Sequence, residues 1–148
     1  MMWRLIFSAG LLALASCGDF PRDPEKTLEK VRAEKSFKVG LAQGGEALDP
    51  SAQLLIGRIG AATGAQPEVE RGDAEPLLTR LESGQIDLVI GRFSAVTPWS
   101  QLVSFSPPLR IEARDGAELH LVAAMRNGEN AWISLIEREA RELGAGVK

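Results

Sequence analysis

The strongest constraint on the fold is a helix pattern that runs directly into a short apolar strand. Three leucines form the apolar face of this helix: Leu77, Leu78 and Leu81. The helix is predicted to end at Gly84, and the run Ile86–Gly91 that follows is β-branched and nearly all apolar. A short run of this composition is typical of a strand buried on both faces. The stretch therefore favours a sheet that is covered by helices.

The same alternation of strands and helices extends over most of the chain. Further helices are predicted at 25–34, 49–64 and 129–143, and further strands at 37–42, 66–71, 103–105, 109–114 and 118–125. Asp49-Pro50 is typical of a helix N-cap followed by proline at the first helical position. Asp115-Gly116 indicates a hairpin between two strands. The alternation predicts an α/β domain, with a mostly parallel sheet and flanking helices.

Composition removes several kinds of chemistry. A chain of 148 residues suits a single domain with a sizeable core. A net charge of −3 with interspersed charges argues against a nucleic-acid surface, which would show a basic patch. One cysteine and one histidine are too few soft ligands for a zinc or iron–sulfur site. We therefore expect no metal, no cofactor and no nucleic-acid partner.

Residues 1–16 are predicted to be a lipoprotein signal peptide. Leu5–Ala15 is an apolar run, too short to span a bilayer, which needs about 20 residues. It leads into the sequence LASCG, which resembles a bacterial lipoprotein signal whose cysteine is lipidated and becomes the new N-terminus. The resemblance implies that Cys17 carries a lipid, that 17–25 form a tether, and that the domain lies on the periplasmic side of an inner or outer membrane. The alternative is a plain signal peptide with an incidental cysteine.

Four stretches of the chain resemble, in order, the polar-amino-acid class (family 3) of periplasmic solute-binding proteins. They are 27–41, a leading helix and strand; 77–91, a helix, a Ser-Gly turn and an aspartate-led strand; 104–108, a Phe-Ser-x-Pro phrase; and 122–130, a return strand that leads into the closing helix. The resemblance implies a periplasmic-binding-protein-like fold and a binding role beside an ABC transporter.

The second lobe of that family has no counterpart here. In that family the chain leaves the first lobe after the Phe-Ser-x-Pro motif and comes back at the return strand. Here only Leu109–Leu121 lies between 104–108 and 122–130, and a hairpin at Asp115-Gly116 connects the two. Residues 26–148 are therefore expected to form a single lobe. Closure of two lobes around a ligand, which is the mechanism of domain closure, is not available within this chain.

The family's Thr-Pro-Glu-Arg phrase, whose threonine and arginine hold an amino acid's carboxylate, becomes Thr97-Pro98-Trp99-Ser100. The threonine is kept and the arginine is lost. Arg92, just after the buried strand, is expected at the carboxyl edge of the sheet, where open α/β folds bind ligands. There it could form an anion site with Ser94, Thr97 and Gln43, or simply pair with a nearby acid.

No pattern indicates catalysis. His120 lies in a predicted strand without an obvious partner, and the sequence contains no nucleophile elbow. Trp99 is interpreted either as an exposed anchor for a protein partner or as packing against Pro107-Pro108. We expect a non-enzymatic, lipid-anchored module for a small polar or anionic solute, accessory to a membrane transporter or sensor protein. The alternative is an interaction subunit that has lost solute binding and docks on a partner, or on a second copy, through the former interlobe face.

Overall fold

The computed structural model describes residues 23–42 and 48–145. The helices are α1 (Thr27–Glu34), α2 (Pro50–Thr63), α3 (Ala74–Glu82) and α4 (Asn130–Ala145). The strands are β1 (Ser36–Ala42), β2 (Gln66–Gly72), β3 (Leu88–Ser94), β4 (Val103–Phe105), β5 (Arg110–Arg114) and β6 (Ala117–Arg126). Every predicted helix and strand is present. The sequence did not predict the short 3₁₀ turn at Pro98–Gln101 that joins β3 to β4.

The strands form one sheet in the order β2-β1-β3-β6-β4, with β5 also paired to β6. β1 runs parallel to β2 and β3, whereas β3, β4 and β5 are all antiparallel to β6. The predicted α/β class, with flanking helices in a single lobe, is confirmed. The sheet itself is mixed, because β6 returns from the hairpin at Asp115-Gly116 and inserts next to β3, and a hairpin can pair its strands only antiparallel.

β4 and β5 form one interrupted edge along β6. Between them, the Ser106 amide donates to the Ala123 carbonyl at 2.8 Å, and the Ala123 amide donates to Ser106 Oγ at 3.0 Å. The Leu109 amide then donates to the Leu121 carbonyl at 2.8 Å. These bonds carry the edge past Pro107-Pro108, which have no amide hydrogens to pair. They connect β4 to β5, which pairs with the first half of β6, from Ala117 to Leu121.

Each face of the sheet has its own hydrophobic core. The larger core lies under α1, α2 and α4, and includes Leu55, Ile59, Leu121, Trp132 and Ile136. The smaller core lies under α3, and includes Leu77, Leu78, Leu81, Val89 and Val122. Trp132 was predicted to be a core residue, and its side chain is 1% exposed. A sheet covered on both faces explains why the run that ends at Gly91 is almost entirely apolar.

Acidic residues just before α1 and just before α4 accept hydrogen bonds from backbone amides at the start of the other helix. The carboxylate of Glu129, which precedes α4, accepts hydrogen bonds from the amides of Glu25 and Thr27 at 2.8 Å each. In return, Asp23 Oδ1 accepts from the Ala131 amide at 2.7 Å. This clasp lies where β6 ends and β1 and β3 begin, and we call it the amino pole of the lobe. In the described ranges, no helix is both long enough and apolar enough to cross a bilayer.

Candidate functional site

The opposite end of the sheet is its carboxyl edge, where β1 and β3 end and α2 begins. Asp49 forms the N-cap of α2, as the sequence predicts. Its Oδ1 accepts from the Ser51 amide at 2.8 Å, and Pro50 follows at the first helical position. The Asp49 side chain is only 3% exposed. A buried carboxylate requires partners besides one amide, and here the partners are arginines.

Four charged side chains meet at this edge, and we call them the ionic quartet: Asp49, Arg92, Arg110 and Glu112. Arg92 donates to Glu112 Oε2 from Nε at 3.0 Å and to Asp49 Oδ2 from Nη2 at 3.1 Å. Arg110 Nη1 lies 3.4 Å from Asp49 Oδ2 and 3.5 Å from Glu112 Oε1. Each arginine thus bridges both carboxylates, so α2, β3 and β5 are tied together at one point.

Strand register brings these side chains together. Arg92 of β3 and Arg110 of β5 lie on either side of the same β6 residue, Leu121. Glu112 and Ser94 likewise flank Leu119. Residues in one row of a sheet share a face, and a shift of two along the strand keeps that face. All of them therefore point to the side of the sheet on which α2 begins.

The quartet is electrically balanced, since two guanidinium groups face two carboxylates. The pKa of Glu112 is lowered chiefly by the hydrogen bond from Arg92, against the opposing effect of burial. The side chains of Arg92 and Glu112 are 22% and 29% exposed, so solvent reaches both. The structure shows Arg92 paired with acids, which was the second interpretation of this residue. Its role as a solute contact stays a prediction.

The other predicted contacts are placed as follows. Ser94 ends β3, is exposed, and its Oγ accepts from the Val96 amide at 3.4 Å. Thr97 caps the 3₁₀ turn, where its Oγ1 accepts from the Trp99 amide at 3.4 Å. Ser94 thus ends its strand two residues after Arg92, and the Thr97 amide donates to the Ser94 carbonyl at 3.1 Å in the turn that follows. The role of both hydroxyls as solute contacts stays a prediction. Gln43 and Cys17 lie outside the described residues.

Trp99 packs against the smaller core and is half-buried. The indole is therefore a packed side chain, although its neighbours are the smaller core and not the expected Pro107-Pro108. Its role as an anchor for a protein partner stays a prediction. The neighbours of the indole in the same turn are the exposed apolar side chains, since Val96 is 89% exposed and Leu102 is 45% exposed. Sequence reasoning missed them. Their signal was two isolated apolar residues in a turn, outside any helical or strand period.

His120 lies on the other face of the sheet from the ionic quartet. Its Nε2 is 2.7 Å from Glu118 Oε1, and its strand neighbours are Phe93 and Ile111. Within the described part of the chain, no group of three or more potential metal ligands is found. The carboxyl edge itself presents the charged side chains of the ionic quartet and the hydroxyl of Ser94.

Sequence reasoning missed two members of the quartet, Arg110 and Glu112. They alternate with Ile111 and Ala113 along β5, which is the available signal for one charged and one apolar strand face. That signal predicts a shared face but not the acidic and basic groups across from it. The hairpin at Asp115-Gly116 pairs β5 with β6, but only the pairing of β6 with β3 carries both residues to Arg92 and Asp49.

Comparison with known proteins gives structural matches only. No protein-family model matches the chain, and no curated protein matches it. A mutant of the arginine-bound form of domain 1 from TmArgBP superposes with a TM-score of 0.67 at 19% identity, over 80% of this chain and 98% of that one. Truncated, arginine-bound ArgBP from T. maritima gives 0.65 at 12% identity, over 78% and 99%.

A third match comes from another organism. AbpA of Streptococcus pneumoniae, an amino acid ABC transporter substrate-binding protein bound to L-arginine, gives a TM-score of 0.66 at 11% identity, over 80% of this chain and 92% of that one. Identities this low establish the fold and nothing finer. The chain therefore has the fold of a single lobe of the substrate-binding proteins that serve amino acid ABC transporters.

Proposed function

We propose that this protein is a lipid-anchored, one-lobed solute-binding module that serves a membrane transport or sensing system and catalyses no reaction. The observation that carries the proposal is the ionic quartet, which lies at the carboxyl edge of a lobe with this fold. Open α/β sheets bind ligands at this edge. One structural neighbour is the arginine-bound form of domain 1 from TmArgBP, which supports the idea that a single lobe of this fold can hold a solute.

The solute we propose is small and polar and carries at least one anionic group. Its carboxylate would compete with Glu112 for the guanidinium groups of Arg92 and Arg110, which suit planar two-oxygen anions. Ser94 and Thr97 would add hydroxyl contacts, and Gln43, next in sequence after β1, would add an amide. A single lobe leaves this site open to water, so we expect modest affinity.

Binding is tested by calorimetry and thermal shift on the chain without its predicted signal sequence. Amino acids, beginning with arginine, and small carboxylates are the first ligands. A specific ligand at about 100 times its Kd adds about 2.7 kcal/mol of stability, which a melting curve detects. Arg92→Ala should abolish anion binding. Arg80→Ala is the matched control. Arg80 Nη1 forms a comparable ion pair with Glu70 Oε1 at a distance of 2.6 Å, and this pair is not part of the ionic quartet.

Glu112→Gln separates solute binding from structure. The variant keeps the side-chain shape and removes the charge that competes with the solute, so it should raise anion affinity while Arg92→Ala lowers it. Equal losses of affinity in the two variants would count against competition at the quartet. No response of the unaltered chain to any solute class would count against solute binding itself.

Lipid attachment at Cys17 is the second part of the proposal. Its support is the sequence LASCG after a short apolar run, with residues 1–16 removed and 17–25 retained as the tether. The site then lies on the periplasmic side of a bacterial membrane. Mass spectrometry of the chain from membranes should show Cys17 at the N-terminus with lipid attached. A Cys17→Ser chain that is processed and membrane-bound like the original would refute lipidation.

The exposed apolar turn favours a second candidate function, an interaction subunit without a solute. Val96 and Leu102 lie on either side of Trp99 in the turn that leaves the carboxyl edge after Ser94 and reaches β4, whose Val103 pairs with Arg126 near the amino pole. Exposed apolar side chains of this kind serve as protein contacts. Light scattering after size exclusion tests for a second copy, and Leu102→Asp should then convert a dimer to a monomer. Leu54→Asp is the control, since Leu54 is 59% exposed on the outer surface of α2.

A further inference from the structure

The chain enters the lobe at the amino pole, on the far side from the ionic quartet. Asp23 is the first described residue, and its carboxylate is bound to the amide of Ala131 in the first turn of α4. The buried carboxylate of Glu129 holds the amides of Glu25 and Thr27 at the same place. These bonds join the start of the lobe to the amino pole through three separate contacts.

The length of β6 gives the distance from the amino pole to the opposite end of the lobe. It runs from Ala117, beside the hairpin tip, to Arg126, three residues before Glu129. At about 3.3 Å per residue, its ten residues span about 30 Å. The quartet lies beside the half of β6 that is nearer the hairpin, because Arg92 is paired with Leu121.

The tether is shorter than this span. Six peptide units separate Cys17 from Asp23, and a chain extends by at most about 3.6 Å per residue, which gives about 20 Å. With the hairpin tip turned towards the bilayer, Asp23 would stand about 30 Å from the surface. The tether could not reach that far, whatever conformation it adopts.

We propose that the anchored lobe keeps its amino pole against the membrane and presents its carboxyl edge to the aqueous phase. This inference rests on the proposed lipidation of Cys17. Solute then arrives at the quartet from the aqueous side. A partner protein in the same membrane meets the flank of the lobe, unless it projects about 30 Å from the bilayer to reach the carboxyl edge.

The test compares two fluorophore positions in the full lipidated chain, reconstituted into phosphatidylethanolamine–phosphatidylglycerol vesicles that carry a headgroup quencher. Asn130→Cys labels the amino pole and Arg114→Cys labels the hairpin, and both side chains are exposed. Cys17 is the only natural cysteine and its thiol is consumed by the lipid, so each label is unique. We expect severalfold stronger quenching at position 130.

A longer tether provides the matched control. About twelve Gly/Ser residues inserted after Gly18 extend its reach to about 60 Å, and the difference between the two labels should then shrink. Equal or reversed quenching with the natural tether in a chain that carries lipid overturns the orientation and leaves the proposed function intact. A chain whose mass shows no lipid overturns the anchor, and the orientation falls with it.

Discussion

Substitution of Asp49 tests how the candidate site is coupled to the fold. This carboxylate caps α2 through the Ser51 amide and also holds Arg92 and Arg110. Asp49→Asn keeps an oxygen that can cap the helix and removes the charge. Asp49→Ala removes both. The difference between the two variants therefore isolates the cap, and the loss in the first variant isolates the ion pairs.

The expected magnitudes follow from the contacts. Loss of an N-cap costs about 1 kcal/mol of unfolding free energy. Arg92 is 22% exposed and Arg110 is 45% exposed, so solvent screens both pairs, and together they contribute about 0.5–1 kcal/mol. We expect Asp49→Asn to lose about 0.5–1 kcal/mol, and Asp49→Ala to lose about 1.5–2 kcal/mol.

Urea unfolding followed by far-ultraviolet circular dichroism measures these losses. Asp73→Ala is the control, because Asp73 occupies the N-cap position of α3 but makes no side-chain cap hydrogen bond. Its loss should stay below about 0.5 kcal/mol. Equal losses for the two Asp49 variants would show that the cap contributes nothing. A control loss as large as that of Asp49→Ala would refute the reasoning altogether.

Two further substitutions test the contacts at the two ends of the lobe. Glu129→Ala should lose about 2–4 kcal/mol, because two charge-assisted bonds to the amides of Glu25 and Thr27 disappear. Burial by itself would raise the pKa of Glu129. The hydrogen bonds from these amides lower the pKa by more, so the net shift is downward. The stabilisation is fully present above the pKa that Glu129 has in the unfolded chain, and it is lost as pH falls through the lowered pKa of the folded protein. The difference in unfolding free energy between wild type and Glu129→Ala should therefore become smaller in acid. Gly91→Ala should lose about 1–3 kcal/mol in thermal melts, because its Cβ would lie 2.8 Å from that of Ala42.

Each of these has a control at a site without the contact. Glu137 lies on α4 and forms an i,i+4 pair with Arg141, so Glu137→Ala should cost about 0.3–0.5 kcal/mol. Gly57 is helical with nothing within 4 Å of an added Cβ, so Gly57→Ala should stabilise by up to about 1 kcal/mol. A loss at Gly57 that matches the loss at Gly91 would contradict the packing argument.

The sequence predicted those parts of the site that depend on local chemistry. The Asp49-Pro50 cap requires only an oxygen that faces the amide two residues on, and the structure has that bond. Arg92 was expected just after its strand and lies inside β3, which continues to Ser94. Its place near the carboxyl edge still follows from the direction in which the chain runs through the sheet. Arg110 and Glu112 could not be found in this way, because their meeting with Arg92 and Asp49 depends on the register in which β6 pairs with β3.

The sequence by itself determined the alternation of helices and strands and the closing hairpin, because periodicity and turn residues are local properties. The tertiary structure alone decided that the sheet is mixed, that Arg92 is neutralised by two carboxylates, and that the chain enters the lobe opposite this site. These features depend on which strands pair and in what register. The hairpin turn fixes the pairing of β5 with β6 locally, whereas the position of β6 beside β3 is set by packing between residues far apart in the chain.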